Sequence, residues 1–87
     1  MKRGMMMMTK EQVMTYVAAI LTTALETEPD PFPESMAYLA MGSDLSKWQL
    51  VKQILSNCQL ITVEGFCIQL TDKGRTMAQK CNAVLSH

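Results

Sequence analysis

AYLAMGSDLSKWQLVKQILSN, residues 37–57, is the stretch whose reading decides the fold. Gly42 separates two helical patterns, and a residue without Cβ suits the left-handed turn that ends a helix. Upstream, Met36, Ala37, Leu39, Ala40 and Met41 predict a short helix over about 33–41. Pro33 opens it, because the N–H that proline lacks would be unpaired in a first turn anyway. Downstream, Ser43 or Asp44 caps a helix over about 44–57. There Trp48, Val51 and Leu55 fall at i, i+3 and i+7, with Leu50 and Ile54 beside them, which predicts a core-facing stripe. Ser46, Gln49, Gln53 and Ser56 share the opposite side, with Lys52 on that side and Lys47 flanking it. Two short helices around so tight a turn make a helix-turn-helix.

Toward the N-terminus, Thr9 and Gln12 have the spacing of a capping box, and an apolar helix pattern begins at Val13. Between Val13 and Leu25 only Thr15, Thr22 and Thr23 are polar. Glu11, Thr15, Thr22 and Glu26 define one narrow wet stripe, and the rest of the circumference is apolar. Such a helix is expected to be covered on two sides. One side packs on its own domain. The other meets a second copy of the chain, with Val13, Val17, Ile20, Leu21 and Ala24 as the dimer contact and the last helix as a further contributor. Glu26 to Glu34 is acidic and punctuated by Pro29, Pro31 and Pro33, which ends the first helix near Thr27 and reads as a solvated linker.

Toward the C-terminus, the period switches to strands after Asn57. Leu60–Val63, a Glu64-Gly65 turn and Phe66–Thr71 predict a β-hairpin with Phe66, Ile68 and Leu70 on one face. Thr71 or Asp72 then caps a last helix to about Leu85, with Met77, Ala78, Cys81, Val84 and Leu85 as its apolar stripe. The expected fold is mainly α with a small β-hairpin, an α+β domain in the order helix-helix-helix-strand-strand-helix.

The 87 residues and 9.7 kDa allow one small domain, read as residues 9–87 behind a disordered leader, 1–8, that holds five of the nine methionines. Charged residues are 18%, below the roughly 25% of an average soluble domain, and the formal net charge is zero. The four-residue apolar run at Met5–Met8 is shorter than a signal peptide needs. Val13–Leu25 is too short to span a bilayer. No membrane association is expected, and the chain reads as cytoplasmic.

Cys58, Cys67 and Cys81 are odd in number and contain no C-x-x-C pair, which argues against a disulfide framework. With His87 they would make C-x8-C-x13-C-x5-H, a spacing unlike a zinc site. No metal or cofactor is expected, and the thiols read as small buried hydrophobes. No enzymatic activity is expected: no internal histidine serves as a base, no glycine-rich loop cradles phosphate, and no close Cys–His pair activates a thiol.

Ala37–Gly42 leading into Asp44–Asn57, then Leu60-Ile61 opening a hairpin, resembles a winged helix-turn-helix domain. The clearest piece is Leu70-Thr71-Asp72-Lys73-Gly74-Arg75, similar to the L-T-x-K-G-R that closes the wing in MarR-type, PadR-type and related regulators. The resemblance implies that the third helix enters a major groove of double-stranded DNA and presents Ser46, Gln49, Gln53 and Ser56 to base edges. Lys47, Lys52, Lys73 and Arg75 would meet phosphate. Residues 5–43 carry one basic and five acidic residues, a net −4, whereas residues 44–87 carry five basic and three acidic, a net +2. The basic excess thus lies in the half with the third helix and wing. Four cations per chain, or eight in a dimer, approach the ~6–10 phosphate contacts of ordinary regulators. The reading is a homodimeric transcriptional regulator. The alternative is a winged-helix module that docks a protein partner, which the low charge, the apolar first helix and an acidic wing tip also suit.

Overall fold

The structure, a computed structural model, describes residues 9–85. The leader assigned to residues 1–8 and the terminal His87 lie outside the described residues. Among the described residues, four helices and a small antiparallel sheet make a mainly helical α+β architecture.

Helix α1 runs Lys10–Thr27 and starts where the sequence places it. Thr9 accepts a hydrogen bond from the Gln12 backbone N–H at 3.0 Å, and the Gln12 side chain accepts one from the Thr9 N–H at 3.0 Å. The capping box therefore satisfies two N–H groups that a helix start leaves open. Along the wet stripe, the Thr15 and Thr22 hydroxyls donate to the carbonyls of Glu11 and Ala18, both at 2.9 Å.

After the proline-rich turn, Phe32–Pro33 forms a two-residue strand, β1, that leads directly into α2, Glu34–Ala40. This strand corrects the two-stranded expectation. It pairs antiparallel with β3, Cys67–Leu70, through Phe32↔Ile68 and Pro33↔Cys67. Proline is tolerated because β1 is an edge, in the sheet order β1-β3-β2.

Met41 closes α2, and Gly42 and Ser43 both adopt positive φ, at 73° and 59°. Asp44 then caps α3, Leu45–Asn57, accepting from the Lys47 backbone N–H at 3.1 Å. Trp48, Val51 and Leu55 of α3 are buried as their spacing requires. Strand β2, Ile61–Glu64, pairs with β3 in the register Ile61↔Leu70, Thr62↔Gln69, Val63↔Ile68 and Glu64↔Cys67. The two-residue turn is therefore Gly65-Phe66, one position later than the sequence reading. Consequently Phe66 leaves the apolar face it was expected to share with Ile68 and Leu70.

Helix α4, Asp72–Leu85, lies against α1. The Thr71 hydroxyl caps it, accepting from the Gly74 N–H at 2.9 Å while donating to the Gln59 carbonyl at 2.7 Å. The core draws on every layer: Ile20 and Leu21 from α1, Trp48, Val51 and Leu55 from α3, and Ile68 from β3 are its largest fully enclosed side chains. On α4, Ala78 is buried, Cys81 half-buried and Met77 partly exposed. The thiols are free and depart from the buried expectation: Cys58 is exposed, and Cys67 and Cys81 are half-buried. No helix among the described residues is long and apolar enough to cross a membrane.

Candidate interaction surface on α2, α3 and the hairpin

With Trp48, Val51 and Leu55 turned inward, helical geometry sends the opposite side of α3 to solvent. Ser46, Gln49, Gln53 and Ser56 are all exposed there, as one continuous polar strip. Leu45 and Leu50, both exposed, border the strip on either side. Lys47 is half-buried and Lys73 is exposed, and neither has a carboxylate partner among the described residues.

The other two expected phosphate contacts are differently placed. Lys52 Nζ lies 2.6 Å from Glu34 Oε2, and the same oxygen accepts the Trp48 indole Nε1–H at 2.9 Å. Lys52 therefore bonds back to α2. Its hydrogen bond, reinforced by that of Trp48, holds the Glu34 carboxyl below the usual carboxylate range against the opposing effect of burial.

Arg75 forks onto Glu28, with Nε to Oε1 at 3.1 Å and a terminal nitrogen to Oε2 at 2.8 Å. A second terminal nitrogen reaches Asp72 at 3.3 Å. Arg75 thereby lowers the Glu28 pKa, and Glu28 raises that of Arg75. Glu28 is thus a partner of α4 and not a member of a free linker. Both cations remain over a third exposed, and surface pairs of this kind are screened by solvent and contribute little.

Of the residues expected at a dimer contact on α1, four are turned into the chain's own core. Val17, Ile20, Leu21 and Ala24 are enclosed by the chain's own elements, and Val13 is half-buried against the same core. The four enclosed side chains offer little surface to a second copy, whereas Val13 keeps part of its own. Much of the apolar girth of α1 is covered from within, by α4, β3 and α3, while Met14 and Ala19 stay exposed.

The residue missed by sequence reasoning is Phe66. It occupies the hairpin tip at φ 64° and is 82% exposed. Two positive-φ residues in a two-residue turn match the twist of a hairpin, but Gly, Asn and Asp are the usual occupants. A phenylalanine there is strained by about 1–2 kcal/mol. The signal available in the sequence was the Gly65-Phe66 pair itself, read as turn and not as strand.

Beside Phe66 runs an apolar groove of about 490 Å³, lined by Pro33, Tyr38, Leu45, Trp48, Phe66 and Cys67 among others. A more polar cavity of about 550 Å³ lies where Glu28 meets Arg75, walled by Pro29, Pro31, Ile68 and Leu70. The chain matches no protein-family model, no curated protein and no solved structure at a significant level.

Proposed function

We infer that the chain is a winged helix-turn-helix protein that binds double-stranded DNA, acting as a homodimeric transcriptional regulator in the cytoplasm with α3 in the major groove. The observation that carries this reading is the uninterrupted exposed strip of Ser46, Gln49, Gln53 and Ser56 on a helix anchored from behind by Trp48. Glutamine bonds an adenine edge at two atoms, and serine both donates and accepts, so the strip is chemically able to read bases. Lys47 and Lys73 supply phosphate contacts. The ion pairs of Lys52 and Arg75 are weak enough for phosphate to replace the carboxylates.

The test is recovery of duplexes from a random pool at low salt, followed by titration of an enriched duplex with Gln49→Ala and Gln53→Ala. Each substitution is expected to remove about 1–3 kcal/mol of base discrimination while leaving the fold intact. Absence of any enriched duplex would overturn the reading.

A second reading, a module that docks protein and not DNA, is favoured by one observation: Phe66 and the adjoining groove make the hairpin tip apolar, with acidic Glu64 next to them. That reading expects no duplex retention at low salt.

A further inference from the structure

Three parts of the chain meet at Glu34: the start of α2, the hairpin tip and α3. Its backbone N–H donates to the Phe66 carbonyl at 2.7 Å, which ties the start of α2 to the hairpin. One atom of its side chain, Oε2, accepts the Trp48 indole Nε1–H at 2.9 Å and the Lys52 ammonium at 2.6 Å. Trp48 and Lys52 stand four residues apart on α3, so they lie one turn from each other on the same side. Gln49 and Gln53, the residues best suited to bond an adenine edge, each follow one of them directly. The grip on Trp48 and Lys52 therefore sets the angle at which the two glutamines project.

We propose that Glu34 is a positioning residue for base readout: by holding the Trp48 indole it fixes the roll of α3 about its axis, relative to α2 and the hairpin tip. The proposal rests on the DNA-binding reading above, and Glu34 acts through Trp48 without touching a base. The lever is short but sufficient. A side chain reaches roughly 5–6 Å from a helix axis, so a roll of about 10° moves its tip by about 1 Å. A hydrogen bond to a base edge does not survive such a displacement. Val51 and Leu55 decide which side of α3 faces the core, but apolar contacts carry no direction of their own. The indole bond does. Trp48 is 2% exposed, so without the carboxylate its N–H reaches water only if the ring moves outward, and the helix rolls with it.

The test compares the affinities of the native chain and its Glu34 variants for two duplexes. One is an enriched duplex, and the other carries a single exchanged adenine–thymine pair that the native chain discriminates against. Loss of folded protein lowers both affinities alike, so their ratio separates positioning from stability. Glu34→Ala should reduce the ratio by about tenfold, as expected for one misplaced bidentate contact. Glu34→Gln keeps an oxygen for the indole and should hold the ratio within about threefold of native. Glu34→Asp keeps the charge but is one methylene too short to reach the indole from the same backbone. It should reduce the ratio as Glu34→Ala does, and it carries the test if Glu34→Ala does not fold. Trp48 is the chain's one tryptophan, so fluorescence follows the ring without DNA. Emission should move to longer wavelength in Glu34→Asp and stay native in Glu34→Gln. An unchanged ratio or native emission in a folded variant that lacks the grip would overturn the proposal while leaving DNA binding in place. A native chain that retains no duplex would overturn both.

Discussion

The carboxylate of Glu34 and the indole of Trp48 meet at 2.9 Å, joining the first residue of α2 to the buried face of α3. Trp48 is 2% exposed, and a buried indole N–H without an acceptor is costly. Glu34→Ala should therefore lose about 1–3 kcal/mol in urea unfolding, whereas Glu34→Gln, which keeps an acceptor oxygen, should lose less.

The same carboxylate sets an acid response. The hydrogen bond from Lys52 holds Glu34 below its unfolded value, and Arg75 does the same for Glu28. A depressed folded pKa means that the unfolded chain takes up protons first as pH falls. The stabilisation is thus fully present above the ordinary carboxylate range and is lost progressively as pH drops through the lowered folded values. Native Tm should fall with acidification, and Glu34→Gln should flatten that dependence. An unchanged slope in the variant would contradict the pairing.

Trp48 packs at the centre of the core with Val51 and Leu55. Trp48→Ala should cost about 3–5 kcal/mol, a large part of the stability of so small a domain, and Trp48→Phe should cost less by preserving most of the volume. A native-like Tm for Trp48→Ala would mean that α3 is rotated about its axis.

Gly74 is the residue of the L-T-x-K-G-R stretch with the sharpest steric reason. A Cβ on it would stand 1.9 Å from the Leu60 carbonyl oxygen and 2.9 Å from its carbon. Elsewhere in a helix, glycine to alanine stabilises by about 1 kcal/mol. Here the α4 start is pinned between the Thr71 cap and Leu60, so Gly74→Ala should instead destabilise by about 3 kcal/mol. The sign alone, read from a thermal melt, decides the point.

These residues also indicate how far the sequence could be read. The Thr9–Gln12 box and the Trp48, Val51, Leu55 spacing are local signals over a full helical period, and the elements they predict form with nearly the expected bounds. Phe32–Pro33 has no period to detect, and it becomes a strand only because β3 lies beside it. The hairpin turn lies one residue later than Glu64-Gly65, which moves each cross-strand pairing by two residues, because Gly65 can serve in either turn. The choice falls to long-range burial: Leu70 gains Ile61 as its partner and Ile68 gains Val63. The fate of α1 was hidden for a similar reason. An apolar circumference demands cover, but the sequence does not say whether α4 or a second copy provides it. For the candidate site, the polar strip of α3 was legible from its spacing. The capture of Lys52 and Arg75 by Glu34 and Glu28, 18 and 47 residues away in the chain, was not.

Those captured cations give the central claim, that α3 and its flanking cations engage duplex DNA, its most direct measurement. It is the slope of log affinity against log salt concentration for an enriched duplex. Lys47 and Lys73 alone, twice over in a dimer, correspond to four phosphates and a slope of about −3.6. If Lys52 and Arg75 also exchange their carboxylates for phosphate, the slope approaches about −7. The native chain should fall between these values, and Glu34→Gln, by freeing Lys52, should steepen the slope. Binding that is absent at low salt, or that is indifferent to salt, would contradict the account.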